Sequence, residues 1–219
     1  MYFKHTKKAC EISDKILQKC IKNMRVFETE RDIFNFLKNE TEKQKCMLSF
    51  DPVVASGKNG AEMHHKATNS KLKKGFLVLD FGVKYKGYCS DMTRTIYLGK
   101  PNKKERDFYY LVLNAQKISI AELKVGMSCF ALDGVARSVF GKYAKFFRHG
   151  LGHGVGRKIH QSPSLSPWNR RKIKDKTILT IEPGLYFKNK FGIRIEDTLF
   201  LNRKPFVLTK TKKNLIIIQ

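Results

Sequence analysis

The chain has 219 residues, 42% of them hydrophobic, and 44 Lys and Arg against 19 Asp and Glu give a formal net charge of +25. That apolar content supports a sizeable core and excludes intrinsic disorder, and the length is near the top of what one compact domain holds. The longest apolar runs, such as Phe108 to Leu113 and Leu215 to Ile218, fall far short of the ~20 residues of a membrane span.

The N-terminal Met1-Tyr2-Phe3-Lys4-His5 runs into a charged segment with no apolar h-region or cleavage site, so secretion by that route is not expected. Cys10, Cys20, Cys46, Cys89 and Cys129 are scattered, odd in number and free of any CxxC pair. This speaks against a disulfide framework or a thiolate zinc site and for a reducing, cytoplasmic setting. The positive charge attracts polyanions non-specifically. The clusters Lys71-Leu72-Lys73-Lys74, Arg170-Arg171-Lys172 and Lys210-Thr211-Lys212-Lys213 read as solvated loops, and no specific nucleic-acid partner and no membrane are expected.

In chain order, Ala9, Ile12, Ile16, Cys20 and Met24 step by three or four and predict an amphipathic helix over roughly residues 5 to 24. Thr29 is a plausible N-cap for a second helix, with Glu30 and Asp32 in its first turn, where the dipole favours acids. That helix should end near Gln44 to Cys46. Phe76-Leu77-Val78-Leu79 leads to Asp80, and Asp91 precedes the β-forming run Met92-Thr93-Arg94-Thr95-Ile96-Tyr97. A hairpin turning between Tyr85 and Lys86 would set Asp80 and Asp91 directly opposite each other.

The second half repeats this order. Phe108, Leu111, Val112, Ala115 and Ile118 mark one helix, and Leu132, Val135, Ala136, Val139 and Tyr143 mark another. A hairpin of Ile178 to Glu182 and Gly192 to Glu196, centred on Asn189, places Glu182 opposite Glu196. Asp80 and Glu182 are 102 positions apart and Asp91 and Glu196 are 105 apart, consistent with a duplicated helix-helix-hairpin unit whose halves are about 1–100 and 101–219.

Four converging carboxylates repel one another unless cations neutralise them, and two divalent metals would do so. Oxygen ligands with one imidazole suit Mn²⁺, Co²⁺, Fe²⁺ or Zn²⁺, and two such ions about 3.5 to 4 Å apart can activate a water. The imidazole is sought in His149-Gly150-Leu151-Gly152-His153-Gly154-Val155-Gly156-Arg157-Lys158-Ile159-His160, where glycines let backbone approach a crowded site.

Leu79-Asp80-Phe81-Gly82, Gly87 to Thr95, His149 to Gly156, Thr180-Ile181-Glu182-Pro183-Gly184 and Gly192 to Thr198 together resemble the pita-bread metallopeptidases, specifically the proline-specific branch of Xaa-Pro aminopeptidases and Xaa-Pro dipeptidases (prolidases). The resemblance covers essentially the whole chain. It implies an α+β pita-bread fold, a pseudo-two-fold repeat around a curved, mostly antiparallel sheet, with residues 1–219 as one catalytic domain and no separate N-terminal domain. It also implies a hydrolase acting on the peptide bond before proline, in dipeptides or at the N-terminus of short peptides.

Carried over by position, Asp80, Asp91, His153, Glu182 and Glu196 would hold two divalent ions, Mn or Co ahead of Fe or Zn. His64 resembles the family's substrate-side histidine, with His65 the competing neighbour, and His160 the one that steadies the tetrahedral intermediate. Glu182 is the family's candidate proton shuttle. Arg194, on the Glu196 strand and facing the same side, would pair either with a carboxylate beside the metals or with the substrate's C-terminal carboxylate. Gln161 stands where an acid often follows the histidine, and Met63 where a proline is expected. The resemblance is compatible with a homodimer. Two alternatives share the fold: a methionine aminopeptidase, and a non-catalytic binding module.

Overall fold

The structure, a computed structural model, describes residues 2–219. The N-terminal half consists of helices α1 (Tyr2–Lys22) and α2 (Glu30–Lys43), then strands β1 (Met47–Leu48), β2 (Val53–Ser56), β3 (Gly75–Phe81), β4 (Val83–Tyr85), β5 (Tyr88–Cys89) and β6 (Met92–Leu98). The C-terminal half begins with α3 (Lys103–Glu122) and α4 (Cys129–Phe140). Strands β7 (Gly152–Gly154), β8 (Gln161–Leu165), β9 (Thr177–Ile181), β10 (Gly184–Phe187), β11 (Phe191–Arg194), β12 (Asp197–Asn202), β13 (Lys204–Val207) and β14 (Ile217–Ile218) follow. Two helices and a hairpin therefore occur twice, as the spacing of the carboxylates predicts.

Side-chain caps start α2, α3 and α4. Thr29 and Asp32 exchange hydrogen bonds in a capping box at α2, and Asn102 and Glu105 do the same at α3. Helix α4 is capped by the Ser128 hydroxyl, which accepts from the Ala131 amide at 3.1 Å. It stops at Phe140 rather than running on to Tyr143, because Gly141 takes a φ of +51°.

Strand periodicity decides which face is buried against the helices. Leu77, Leu79 and Phe81 pack with Ile12, Ile16 and Leu37 of α1 and α2, so Val78 and Asp80 point the other way. In the second half Leu179, Ile181 and Leu199 pack with Val112 and Leu132 of α3 and α4, which leaves Thr180, Glu182 and Thr198 on the opposite face. The helices thus cover one side of the sheets and free the other for polar residues.

The two halves are joined on that inner face. The Glu196 amide donates to the Thr93 carbonyl at 3.1 Å. The Thr95 hydroxyl donates to the Arg194 carbonyl at 2.8 Å, and the Thr198 hydroxyl to the Asp91 carbonyl at 2.7 Å. Buried threonines serve here because one hydroxyl both donates and accepts where two strands meet without a regular ladder.

The second hairpin has the predicted register. Gly184 pairs with Arg194 on one side and Ile181 with Asp197 on the other, which places Glu182 and Glu196 opposite each other in the break between. The first hairpin differs from the expectation. Tyr85 pairs with Tyr88 and Asp80 with Thr93, so Asp91 lies two residues along from Asp80's partner, not directly across. The cause is the turn: Lys86 and Gly87 have φ of +47° and +81°, the left-handed pair that a two-residue hairpin loop of this twist requires, and glycine supplies the second at no cost. A shift of the centre by one residue moves the pairing by two and leaves both aspartates on the inner face.

Candidate metal centre

Four strand ends and one short strand deliver the predicted residues to the floor of a cleft of about 1050 Å³. Asp80 comes from β3 and Asp91 from the residue before β6; Glu182 follows β9, and Glu196 lies between β11 and β12. His153 is the middle residue of β7. Gly152 beside it is required: a Cβ there would lie 2.2 Å from the Thr180 carbonyl oxygen, so only glycine lets β7 close on β9.

One ligand atom each from Asp91, His153 and Glu196 lie within 4.8 Å of one another. His153 Nε2 is 3.3 Å from Glu182 Oε1 and 3.6 Å from Asp91 Oδ2. The imidazole is oriented from behind by its Nδ1–H, which donates to the Gly154 carbonyl at 3.1 Å and so turns the Nε2 lone pair toward the carboxylates. The Thr93 hydroxyl donates to Glu196 Oε2 at 2.7 Å and the Thr180 hydroxyl to Glu182 Oε1 at 3.2 Å.

Three buried carboxylate oxygens, Asp80 Oδ1, Asp91 Oδ1 and Glu196 Oε1, have no hydrogen-bond partner among the described residues. Such atoms are costly to bury unsatisfied. Burial and then the neighbouring carboxylates push Asp91 and Glu196 well above the usual carboxylate range. Burial likewise takes Glu182 up to about 8, against the opposing pull of Arg194. The cluster cannot be fully ionised without added positive charge. Divalent cations fit this donor set: hard oxygens, one imidazole nitrogen, and lone pairs already stripped of other partners.

Arg194 is buried beside the cluster. Its Nη2 donates to Asp80 Oδ2 at 2.6 Å, its Nε to the Thr93 hydroxyl at 3.1 Å and its Nη1 to the Tyr186 hydroxyl at 2.8 Å. Of the two roles that the sequence left open, this geometry is that of a carboxylate partner. Asp80 keeps Oδ1 free because Arg194 engages Oδ2.

Tyr186 and His149 extend the chain of bonds, and sequence reasoning assigned a role to neither. The Tyr186 hydroxyl lies 2.8 Å from His149 Nε2, and His149 Nδ1 lies 2.8 Å from the Gly150 carbonyl. Burial and then the charge of Arg194 lower the His149 pKa to about 3, so the ring is neutral: Nδ1 donates and Nε2 accepts from Tyr186. The signal was available in period two. Tyr186 lies four residues after Glu182, on the same face of the hairpin, and Thr93 and Thr180 sit two residues from Asp91 and Glu182.

His160 is exposed on the cleft wall with its ring 4.4 Å from that of His153. His64 is exposed in the cleft as well. His65, its neighbour, also borders the cleft but is engaged: Nε2 lies 2.8 Å from Oε2 of the fully buried Glu30. Glu30 also accepts from the Ser56 amide at 2.8 Å, Asn59 Nδ2 at 2.9 Å and the Thr68 amide and hydroxyl at 3.1 and 2.9 Å. Burial pushes the Glu30 pKa up, but these donors outweigh it and hold the carboxylate ionised. Of the two adjacent histidines, His64 is therefore the one left free to meet a ligand.

A model of metallopeptidase family M24 matches residues 4–203. The Xaa-Pro dipeptidase of Pyrococcus horikoshii is 37% identical over 218 residues, covering 95% of this chain and 61% of its own length. An X-Pro aminopeptidase from Thermotoga maritima superposes with a TM-score of 0.95 at 33% identity, covering 99% of this chain and 63% of that one. An Xaa-Pro dipeptidase from Bacillus anthracis gives 0.95 at 34% identity, with 99% and 62% covered. The chain thus spans about three fifths of the length of these relatives, at 61% and 62% of the first two curated ones. The α+β pita-bread fold implied by the sequence motifs is the fold of these structures.

Proposed function

The chain belongs to metallopeptidase family M24, and from that premise we propose that it hydrolyses the peptide bond preceding proline, in dipeptides or at the N-terminus of short peptides. The observation that carries this reading is the gathering of Asp80, Asp91, His153, Glu182 and Glu196 with three buried carboxylate oxygens lacking partners. These five side chains would hold two divalent ions, Mn²⁺ or Co²⁺ ahead of Fe²⁺ or Zn²⁺. When bound, the ions supply Lewis-acid polarisation of the scissile carbonyl and water that is acidic near neutral pH.

The chain's own residues do the rest. Thr93 and Arg194 fix the rotamers of Glu196 and Asp80, so that the ligand oxygens are preorganised. Glu182, its Oε1 held by the Thr180 hydroxyl, takes the proton that the attacking water gives up and delivers it to the proline nitrogen as the C–N bond breaks. His160 and His64 border the same cleft and supply donors for the carbonyl oxygen on which negative charge develops. A tertiary Xaa-Pro amide offers no N–H to bind, so selectivity must come from apolar contact; Phe34, Phe50, Pro52 and Ile159 line the cleft for that purpose. A cytoplasmic place of action is part of the reading, supported by five free cysteines.

The test is hydrolysis of Ala-Pro, Ala-Pro-Ala and Met-Ala by metal-stripped protein with Mn²⁺, Co²⁺ or Zn²⁺ restored, and Asp91→Ala as control. Metal-dependent cleavage before proline alone supports the reading. Cleavage of Met-Ala alone moves the protein to the methionine aminopeptidases, and cleavage of nothing despite bound metal leaves a binding role.

A further inference from the structure

Trp168 is the chain's one tryptophan. It lines the same cleft as the carboxylate cluster and is nonetheless 89% exposed, the most exposed of the large apolar side chains. Its backbone is held firmly. Leu165 before it and Ile173 after it are fully buried, and the loop between them is laced along the start of α4. The Phe130 amide donates to the Asn169 carbonyl at 2.7 Å, the Cys129 amide to the Arg171 carbonyl at 2.9 Å, and the Ile173 amide to the Met127 carbonyl at 2.8 Å. The Asn169 side chain closes the loop on itself, donating to the Ser164 carbonyl at 2.7 Å and accepting from the Arg171 amide at 3.0 Å. The backbone that carries the indole is therefore held in place at the rim, and the ring has no apolar partner among the described residues.

We propose that Trp168 is the platform on which the third residue of a peptide packs, which makes peptides longer than two residues the preferred substrates. The inference rests on the Xaa-Pro peptidase reading and deepens it. If the scissile bond joins an N-terminal residue to proline, the substrate can extend in one direction only, past the proline and out of the cleft toward its rim. The cleft, at about 1050 Å³, lies just above the ~300–1,000 Å³ that suits drug-sized ligands and leaves space beyond a dipeptide. An indole ring on a fixed backbone gives a large contact at little entropic cost, because only two side-chain torsions must be ordered.

As the single tryptophan, Trp168 reports on its own occupancy. The Mn²⁺-loaded full chain is titrated with uncleavable analogues of Ala-Pro, Ala-Pro-Ala and Ala-Pro-Leu in which the scissile amide is reduced, while indole emission is followed. The two longer analogues should quench or blue-shift the emission saturably, and the dipeptide analogue should not. In parallel, Trp168→Ala should lower the ratio of kcat/KM on Ala-Pro-Leu to that on Ala-Pro by about tenfold, roughly the worth of one buried apolar side chain. The loss should fall on KM rather than kcat, as for contact made equally in ground and transition states. Trp168→Phe should recover part of it.

An unchanged ratio, or emission that ignores peptide length, overturns the proposal. So does emission that shifts with protein concentration alone, which would mean that a second copy covers the indole. If wild-type protein cleaves none of these peptides, the peptidase reading itself fails, while a length-dependent emission change would still mark a peptide subsite.

Discussion

The Thr93 hydroxyl donates to Glu196 Oε2 at 2.7 Å and accepts from Arg194 Nε at 3.1 Å, so one buried side chain of the first half sets the rotamer of a carboxylate of the second. Thr93→Val keeps the volume and removes both bonds. It should weaken divalent-metal binding by about 10- to 100-fold, the range for losing a partner that orients a ligand. Competition against a chromogenic chelator measures this, with Thr93→Ser expected to bind as the parent does. Equal affinity in Thr93→Val would show that the backbone alone places Glu196.

The carboxylate cluster fixes the sign of a pH effect on the metal-free protein. Glu182 is raised from 4.5 to about 8, chiefly by burial, and Asp91 and Glu196 move in the same direction. A carboxyl raised on folding binds more protons in the folded state, so its contribution is full below pH 4.5 and is lost as pH climbs through 8. Between pH 5 and 8 the melting temperature of stripped protein should fall by at least about 5 °C, that is, by a few kcal/mol for a chain of this size. Glu182→Gln should flatten that slope, and Mn²⁺ should restore more stability at pH 8 than at pH 5, because binding displaces protons. A slope unaffected by Glu182→Gln would assign the effect elsewhere.

Adjacent His64 and His65 should separate cleanly into activity and stability. Removing the Glu30 carboxylate by Glu30→Ala strands a buried cluster of donors, and the cost should be about 3 kcal/mol or more by urea denaturation. His65→Ala should destabilise in the same direction by less. His64→Ala should leave the denaturation midpoint within error while lowering kcat on Ala-Pro by about 100-fold, the usual order for a positioned proton or oxyanion partner. The reverse pattern would place His65 at the substrate.

What the sequence made legible here was whatever obeyed a period. Glu182 and Glu196 were placed opposite each other because their hairpin is centred on Asn189, whose φ of +60° closes a three-residue loop. The same reasoning applied to Asp80 and Asp91 put the turn one residue early, since it centred on the carboxylates rather than on Gly87, the residue able to take positive φ. Neither period nor spacing distinguishes His64 from His65, which occupy an irregular segment, and the deciding partner Glu30 is 35 positions away. Tyr186 was passed over for another reason: a buried tyrosine is read as core until its hydroxyl is seen to have a partner.

Arg94 and Asp197 were legible only as motif letters, yet they brace the metal face from behind. Alternation sends Thr93 and Glu196 to the cleft and turns Arg94 and Asp197 to the opposite side, where Arg94 Nη2 meets Asp197 Oδ1 at 2.7 Å. Arg94 also donates to the carbonyls of Thr93 and Glu196 and, through Nε and Nη2, to that of Thr211 at 2.9 and 2.7 Å. Asp197 is completed by Gln116, Thr209 and Lys213, and although burial pushes its pKa up, Arg94 and Lys213 more than reverse the shift. Arg94→Met takes its donors away from the carbonyls of Glu196 and Thr211, leaves that of Thr93 with the Glu196 amide alone, and leaves Asp197 with one cation, so a loss of about 3 to 5 kcal/mol is expected in denaturant unfolding. Arg94→Lys should recover little, because one ammonium cannot span the carbonyls that a planar guanidinium reaches. Arg94→Met combined with Asp197→Leu should cost less than the two single changes together, since the buried charge goes with its partner; strict additivity would mean that the pair is not coupled through this contact.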